Sequence, residues 1–545
     1  MKVFSKIMTS KEIIIKYAMH PFNLYEKNVE LWNNIKLIFN ISYIISSLII
    51  SNFLSKFFKF NLKKKHKKNK EKNEENLKIF IGKNIENLNN INIPERGLYQ
   101  NILITGTIGS GKTSSAMYPI TEQLIKYKCN DFSKKIGMLL LDVKGNYYNQ
   151  VKKFAYQYDR IDDIIVIEVG GTFKYNPLDK PELKASVLAN RLRVILDLFS
   201  GESSEAYWTD KSEQILTECI KFCRLYNQGY VNFEEIHKLI TNQDYYNSKV
   251  DIVRNLFVNG KLSKEDCHNL ASAMSFFQEE FFKLDQRTMS ILKSQITRIT
   301  GCFISDFQVS KTFNSRQIQN NSINLNEIIN NGKIVVLNMN IAQYKNLSKI
   351  IAAYLKLDFQ SEVLSRLADK SKNTERTVCF ISDEYQEYIT ETDADFFAQS
   401  REAKCINIVA TQSYTSLLKT LKNEAALKVI VQNLINKIWF RTDDIYTIEE
   451  AQKQIGKEEK QKISKSISEN AKETKYSYIS KAFKSKDSSL SESVSSSYEK
   501  DYIYDVHFFT QELQTFYAVV FLSDGNKILE PQKLELIPYF KKGSD

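Results

Sequence analysis

The sequence predicts an α/β protein built on a parallel sheet, interrupted by an all-helical segment and preceded by an apolar stretch. Three observations predict it. Short runs too apolar to alternate recur along the chain, as suits parallel strands buried on both faces. They are Asn101–Thr105 (NILIT), Met138–Asp142 (MLLLD), Ile164–Val169 (IIVIEV), Ile334–Met339 (IVVLNM), Val378–Asp383 (VCFISD), Ile406–Gln412 (INIVATQ) and Lys437–Arg441 (KIWFR). These runs end in polar or glycine turns followed by helical stretches, the alternation of an α/β sheet. Between Leu183 and Ser322 the strand signal fades, and apolar residues recur at helical spacing, as at Ile215, Leu216, Cys219, Ile220 and Cys223.

The elements follow in chain order. Residues 1–76 form an N-terminal region. Within it, 37–55 (LIFNISYIISSLIISNFLS) is nineteen residues without a charge, long enough to cross a hydrocarbon core as one helix. Residues 56–72 then carry nine lysines against one acid, Glu71. A basic run after an apolar span stays on the cytoplasmic side, so the expectation is a single-pass membrane anchor, with an interfacial or buried helix as the alternative, and the bulk of the chain cytoplasmic. The same lysines suit anionic headgroups or a solvated linker. No small-residue cleavage site follows, which argues against a removed secretory signal. The net charge of +12 is concentrated in this run and does not predict a broad basic face.

Residues 77–182 hold the first strands, 183–322 the inserted all-α domain and 323–545 the remaining strands. Met274, Phe276, Phe277, Phe281 and Phe282 fall in the insertion and read as its core. Residues 464–500 are rich in Ser, Lys and Glu and read as a mobile loop or linker. Strand-like runs return between Tyr502 and Leu522. The seven cysteines lie mostly in apolar surroundings without a CxxC pair, which reads as reduced thiols packed as small hydrophobes. Cys267-His268 has no second ligand pair and predicts no metal site.

The chemistry centres on Gly106-Thr107-Ile108-Gly109-Ser110-Gly111-Lys112-Thr113, which matches G-x-x-x-x-G-K-[ST] between a strand and a helix. In that context the glycines let backbone N–H groups close around phosphate oxygens, and the helix N-terminus adds partial positive charge. The expected binding segment is Gly106–Ser114 and the expected ligand is ATP. Lys112 reaches the β- and γ-phosphates, and Thr113 places its hydroxyl on Mg²⁺. Asp383-Glu384 ends the run VCFIS, where Asp383 can hold Mg²⁺ and Glu384 can polarise the attacking water. Gln412, at the end of INIVATQ, can sense the γ-phosphate or position water. Arg401, between those strands, can complete a neighbouring subunit's site or serve as a surface salt-bridge partner.

These residues and their neighbours resemble a known family. The P-loop, LLLDVKGN (139–146), YNPLD (175–179), AYWTDKSEQIL (206–216), ISDEYQEY (381–388) and SREAKCINIVATQS (400–413) stand in the order seen in TraG/TraD-like conjugative coupling proteins of type IV secretion systems. The resemblance spans residues 97–522. It implies a RecA-like P-loop NTPase domain with an inserted all-α domain, an N-terminal membrane anchor and a homo-hexamer with ATP sites between subunits. It implies single-stranded DNA as cargo, relaxase, relaxosome or effector proteins as partners, and passage to the secretion channel. It matches Arg401 to a trans arginine and Gln412 to a sensor. Asp142 and Lys144 match a family block whose chemistry the sequence does not define.

Two other functions fit the same motifs. One is an FtsK-like double-stranded DNA translocase or another conjugation ATPase. The other is a membrane-anchored substrate receptor with little hydrolysis, against which the intact Lys112, Thr113, Asp383 and Glu384 argue. The chain also departs from the family pattern. A second membrane helix is not evident, since 13–22 is short and carries Lys16, and the terminus FKKGSD is not an acidic tail.

Overall fold

Eleven strands form one sheet, and seven consecutive strands reaching one of its edges run parallel. The computed structural model describes residues 76–541, apart from 143, 200–205, 317–320, 370–371, 470–474, 478–481 and 485–489, together with parts of 29–47. In chain order the strands are β1 (Lys78–Asn84), β2 (Asn90–Pro94), β3 (Ile102–Thr105), β4 (Gly137–Asp142), β5 (Ile164–Ile167), β6 (Ile334–Asn338), β7 (Val378–Ser382), β8 (Cys405–Thr411), β9 (Asn436–Phe440), β10 (Lys457–Glu469), β11 (Lys475–Ser477), β12 (Ala482–Lys484), β13 (Leu490–Tyr502), β14 (Tyr517–Phe521) and β15 (Gln532–Glu535). The large sheet is ordered β2-β1-β15-β14-β9-β3-β8-β7-β4-β6-β5. Every residue of β3, β4, β7, β8 and β9 is buried.

Alternation along these strands divides the interior into two cores. Ile102, Ile104, Met138, Leu140, Cys379 and Ile381 face the helices Tyr118–Lys126 and Tyr147–Gln157. Leu103, Leu139, Leu141, Val378 and Phe380 face the other way. Period-two geometry requires this split, since successive side chains point to opposite faces. The second core is continuous with the interior of the helical segment, including Ile215, Cys219, Phe222, Phe277 and Phe281. Between β5 and β6 every described element is helical, from Ala185–Phe199 to Asn326–Asn331. Phe276, Phe277 and Phe281 are buried there, with Met274 and Phe282 packed against them.

Two features differ from the sequence reading. The antiparallel extension β14-β15-β1-β2 adds three strands that no long apolar run announces, because β1, β2 and β15 carry polar residues on their exposed positions. Of the stretch read as a loop at 464–500, most of the described residues belong to an antiparallel ribbon, in which β10 and β13 pair from Lys457↔Tyr502 to Glu469↔Leu490. A ribbon wet on both faces needs no apolar stripe. Its ladder is closed by backbone hydrogen bonds and cross-strand pairs such as Lys462 with Glu499. The candidate span at 37–55 is described only in part. Its described residues, Leu37 and 40–47, are helical, whereas 48–55 lie outside the described residues. Among the described residues no helix is long and apolar enough to cross a membrane.

Met1–Asn76 is one unit and Leu77–Asp545 a second. All seven cysteines are free thiols. Among the described residues no cluster of His, Cys, Asp and Glu forms a metal-holding group.

Candidate nucleotide site

The parallel register brings the C-terminal ends of β3, β8, β7 and β4 to one edge. Thr105 of β3 pairs with Thr411 of β8, and Ser382 of β7 with Val409 of β8 and Leu141 of β4. Gly106, Gln412, Asp383 and the loop after Asp142 therefore emerge side by side.

The glycine loop follows β3 directly. The Thr107 N–H donates to the Arg441 carbonyl at 2.9 Å, tying the loop to the end of β9. Gly111 is left-handed (φ 102°), and a Cβ there would lie 2.7 Å from Cδ1 of Phe516. Glycine is thus required on both conformational and steric grounds. The helical turn Lys112–Met117 starts immediately and continues into Tyr118–Lys126.

Lys112 is 8 % exposed. Its ammonium donates to the carbonyls of Gly106 and Thr107, the latter at 3.1 Å. Among the described residues no carboxylate pairs with it. Burial pushes its pKa down, and the nearby charges of Asp383 and Glu384 oppose that shift. A buried cation satisfied only by neutral carbonyls, beside a cradle of glycines, fits a polyanion.

Opposite the loop, the Thr113 hydroxyl donates to Asp383 Oδ2 at 3.0 Å. Burial, then the neighbouring Glu384 and Asp142, pushes the Asp383 carboxyl up to about 6. A hydroxyl and a carboxylate in contact, inside a crowd of negative charge, fit a hard divalent cation such as Mg²⁺.

Glu384 is 6 % exposed and left-handed (φ 51°), a conformation that a long side chain adopts only when its surroundings hold it there. Its carboxylate accepts from Gln386 Nε2 at 2.6 Å and Gln412 Nε2 at 3.1 Å, and it forms an ion pair with Lys144. Burial alone would raise its pKa. The Lys144 and Gln386 hydrogen bonds and the Lys144 charge outweigh burial and hold it below the usual value.

Asp142 has a clear structural task. Its carboxylate accepts the backbone N–H groups of Lys144, Asn146 and Tyr147 at 2.8, 3.0 and 2.9 Å. That fixes the turn from which Lys144 reaches Glu384.

The fold thus brings together Gly106–Ser114, Asp383, Glu384 and Gln412. It does not bring Arg401 to them. Arg401 is exposed and precedes β8, whose other end carries Gln412. At roughly 3.3 Å per residue, Arg401 stands about 20 Å from the glycine loop of its own chain.

Three participants escape the sequence reading. Gln386 bonds both Glu384 and Thr411 Oγ1, the latter at 2.8 Å. Its place two residues after Glu384 was the available signal. Thr515 and Phe516 line the same cavity of about 390 Å³ from some four hundred residues away, with no local signal.

Known proteins share this fold. The model of the type IV secretion-system coupling protein DNA-binding domain matches residues 86–489. No curated protein sequence matches the chain. Among solved structures, the unbound bacterial conjugative coupling protein TrwBdeltaN70 superposes with a TM-score of 0.54 at 13% identity, covering 82% of this chain and 87% of that one. Plasmid coupling protein TrwB in complex with a non-hydrolysable ATP analogue gives 0.54 at 14%, covering 81% and 86%. The same protein in complex with ADP and Mg²⁺ gives 0.55 at 12%, covering 82% and 87%. At such identity the structural likeness is one of fold. The family match is independent of it and spans most of the chain. This chain belongs to the type IV secretion-system coupling proteins.

Proposed function

We propose that the protein is an ATP-driven coupling motor that moves single-stranded DNA, with or without attached protein, to a type IV secretion or conjugation channel. The observation that carries the reading is the Thr113–Asp383 contact at 3.0 Å, across from a glycine cradle and beside a buried carboxylate. Lys112 and the Gly106–Ser114 backbone would hold the triphosphate, and Thr113 and Asp383 would hold Mg²⁺. When bound, the ion neutralises charge on the phosphate oxygens. That the TrwB structures hold ADP with Mg²⁺ supports this assignment.

The roles of the remaining side chains follow from their contacts. Glu384, kept ionised by Lys144, Gln386 and Gln412, is placed to accept a proton from attacking water. Gln412, bonded to Glu384 at the end of β8, would act as the sensor. Arg401 cannot serve its own chain, so its part is to complete the site of an adjacent copy in a homo-hexamer. DNA contacts in such a ring are to phosphates and are salt-sensitive and sequence-tolerant. The N-terminal region supplies a single membrane anchor, with the rest of the chain cytoplasmic. Relaxosome or effector proteins and channel components are its partners.

The test is ATPase activity with single-stranded DNA, double-stranded DNA or neither, beside Lys112→Ala and Glu384→Gln. Stimulation by single strands, abolished in both variants, is expected. Preference for duplex would favour an FtsK-like pump, and activity insensitive to DNA and to both substitutions would sink the motor reading.

A further inference from the structure

The cavity before the glycine loop has a wall that phosphate chemistry does not use. Tyr118, Thr515 and Phe516 line it together with Ser114. Phe516 is left-handed (φ 71°), unusual for a bulky residue and maintained only where neighbours impose it. Two backbone bonds do so. Its N–H donates to the Ser110 carbonyl at 3.2 Å, and its carbonyl accepts the Leu536 N–H at 2.8 Å. The ring is thereby clamped to the glycine loop itself.

Phe516 is not simply core. It belongs to none of the three buried hydrophobic clusters and is half-buried. Phe540 meets it edge-on, with centroids 6.0 Å apart at 71°, and the Lys541 ammonium lies 5.8 Å from its centre. Tyr118 packs edge-on against Tyr539 at 5.2 Å. The result is an aromatic wall, braced from behind by residues 539–541, at the margin of the phosphate cradle. A planar aromatic group tethered to a phosphate chain is the ligand such a wall fits.

We propose that Phe516 is the platform on which the base of a bound nucleoside triphosphate stacks, with Tyr118 flanking it. The proposal rests on the reading of the glycine loop as a triphosphate site. Every base has a π-face, so this platform gives affinity rather than base identity.

The test compares binding of ATP and of inorganic tripolyphosphate, which lacks a base, to the full chain by calorimetry with Mg²⁺. Phe516→Ala is expected to weaken ATP by roughly tenfold and leave tripolyphosphate unchanged, with Phe516→Tyr restoring ATP affinity. Phe516→Trp gives a second measurement on a chain that keeps an aromatic ring. Its emission should change on adding ATP and not on adding tripolyphosphate. Equal weakening of both ligands, or no weakening of ATP, would overturn the platform while leaving the phosphate site intact. If Lys112→Ala leaves both ligands bound as before, the phosphate site itself fails, and the platform with it.

Discussion

Lys144 forms an ion pair with Glu384, reaching it from a turn pinned by Asp142. The lysine is half exposed and the glutamate almost fully buried, so the pair lets a buried carboxylate stay charged. Glu384 is held low only because its partners outweigh burial. Lys144→Ala should therefore raise the pKa of Glu384 and move the acid limb of the pH–rate profile upward. Lys144→Arg should restore it. An acid limb that stays in place in Lys144→Ala would show that the pair does not tune the base.

Arg401 provides a test of site sharing. Its position at the opposite sheet edge rules out a role in its own chain's site. Arg401→Ala should lower turnover by roughly 10³-fold if it acts as a trans arginine. Mixing Arg401→Ala with Lys112→Ala chains should then recover activity that neither has alone, because some boundaries pair an intact loop with an intact arginine. Mixtures no more active than their components would argue for a surface role.

Asp358 should be a stability determinant. It is fully buried on the helix Asn346–Ala368, where Lys180 and Arg191 pair with it at 2.7 and 2.8 Å and the Tyr175 hydroxyl donates at 3.0 Å. Burial would raise its pKa, but the two cations outweigh burial and lower it. Its contribution is therefore present above the unfolded pKa and is lost as pH falls through the lowered folded value. Asp358→Ala strands two buried cations and should cost about 3–5 kcal/mol in denaturant unfolding at neutral pH.

Lys437 should act in the opposite sense. It is 3 % exposed on β9, bonds the Leu434 carbonyl at 2.9 Å, and burial lowers its pKa to about 8. The folded chain holds fewer protons there than the unfolded chain between about pH 8 and 10.5, so this group destabilises below 8 and the penalty fades as pH rises through that window. Lys437→Met should stabilise by roughly 2–3 kcal/mol at pH 7 and by progressively less towards pH 10.5. A gain that does not vary with pH would indicate improved packing instead.

The buried parallel strands were legible because burial on both faces leaves continuous apolar runs, as in Val378–Ser382 and Cys405–Thr411. The glycine loop was legible because its chemistry is local, and Asp383 because it ends such a run. The ribbon Lys457–Tyr502 was not, since a two-stranded element with no buried face leaves no pattern in hydrophobicity. Nor was Phe516, whose place beside Gly111 depends on chain reversals through β14 and β15. Sequence gave Arg401 a candidate role but not its distance from its own loop, which required the strand direction of β8.

The core shared by the helical segment and one sheet face carries a mechanical meaning. Lys180 and Arg191, near the segment's start, are locked to Asp358 beneath the sheet, and no solvent layer separates the two. The segment therefore has no joint of its own about which to swing. Tyr385, next to Glu384, and Lys356, on the helix that carries Asp358, are both bonded to buried Asp393, so the candidate site is tied to the same block. Such a block would move as one piece with the sheet it packs on.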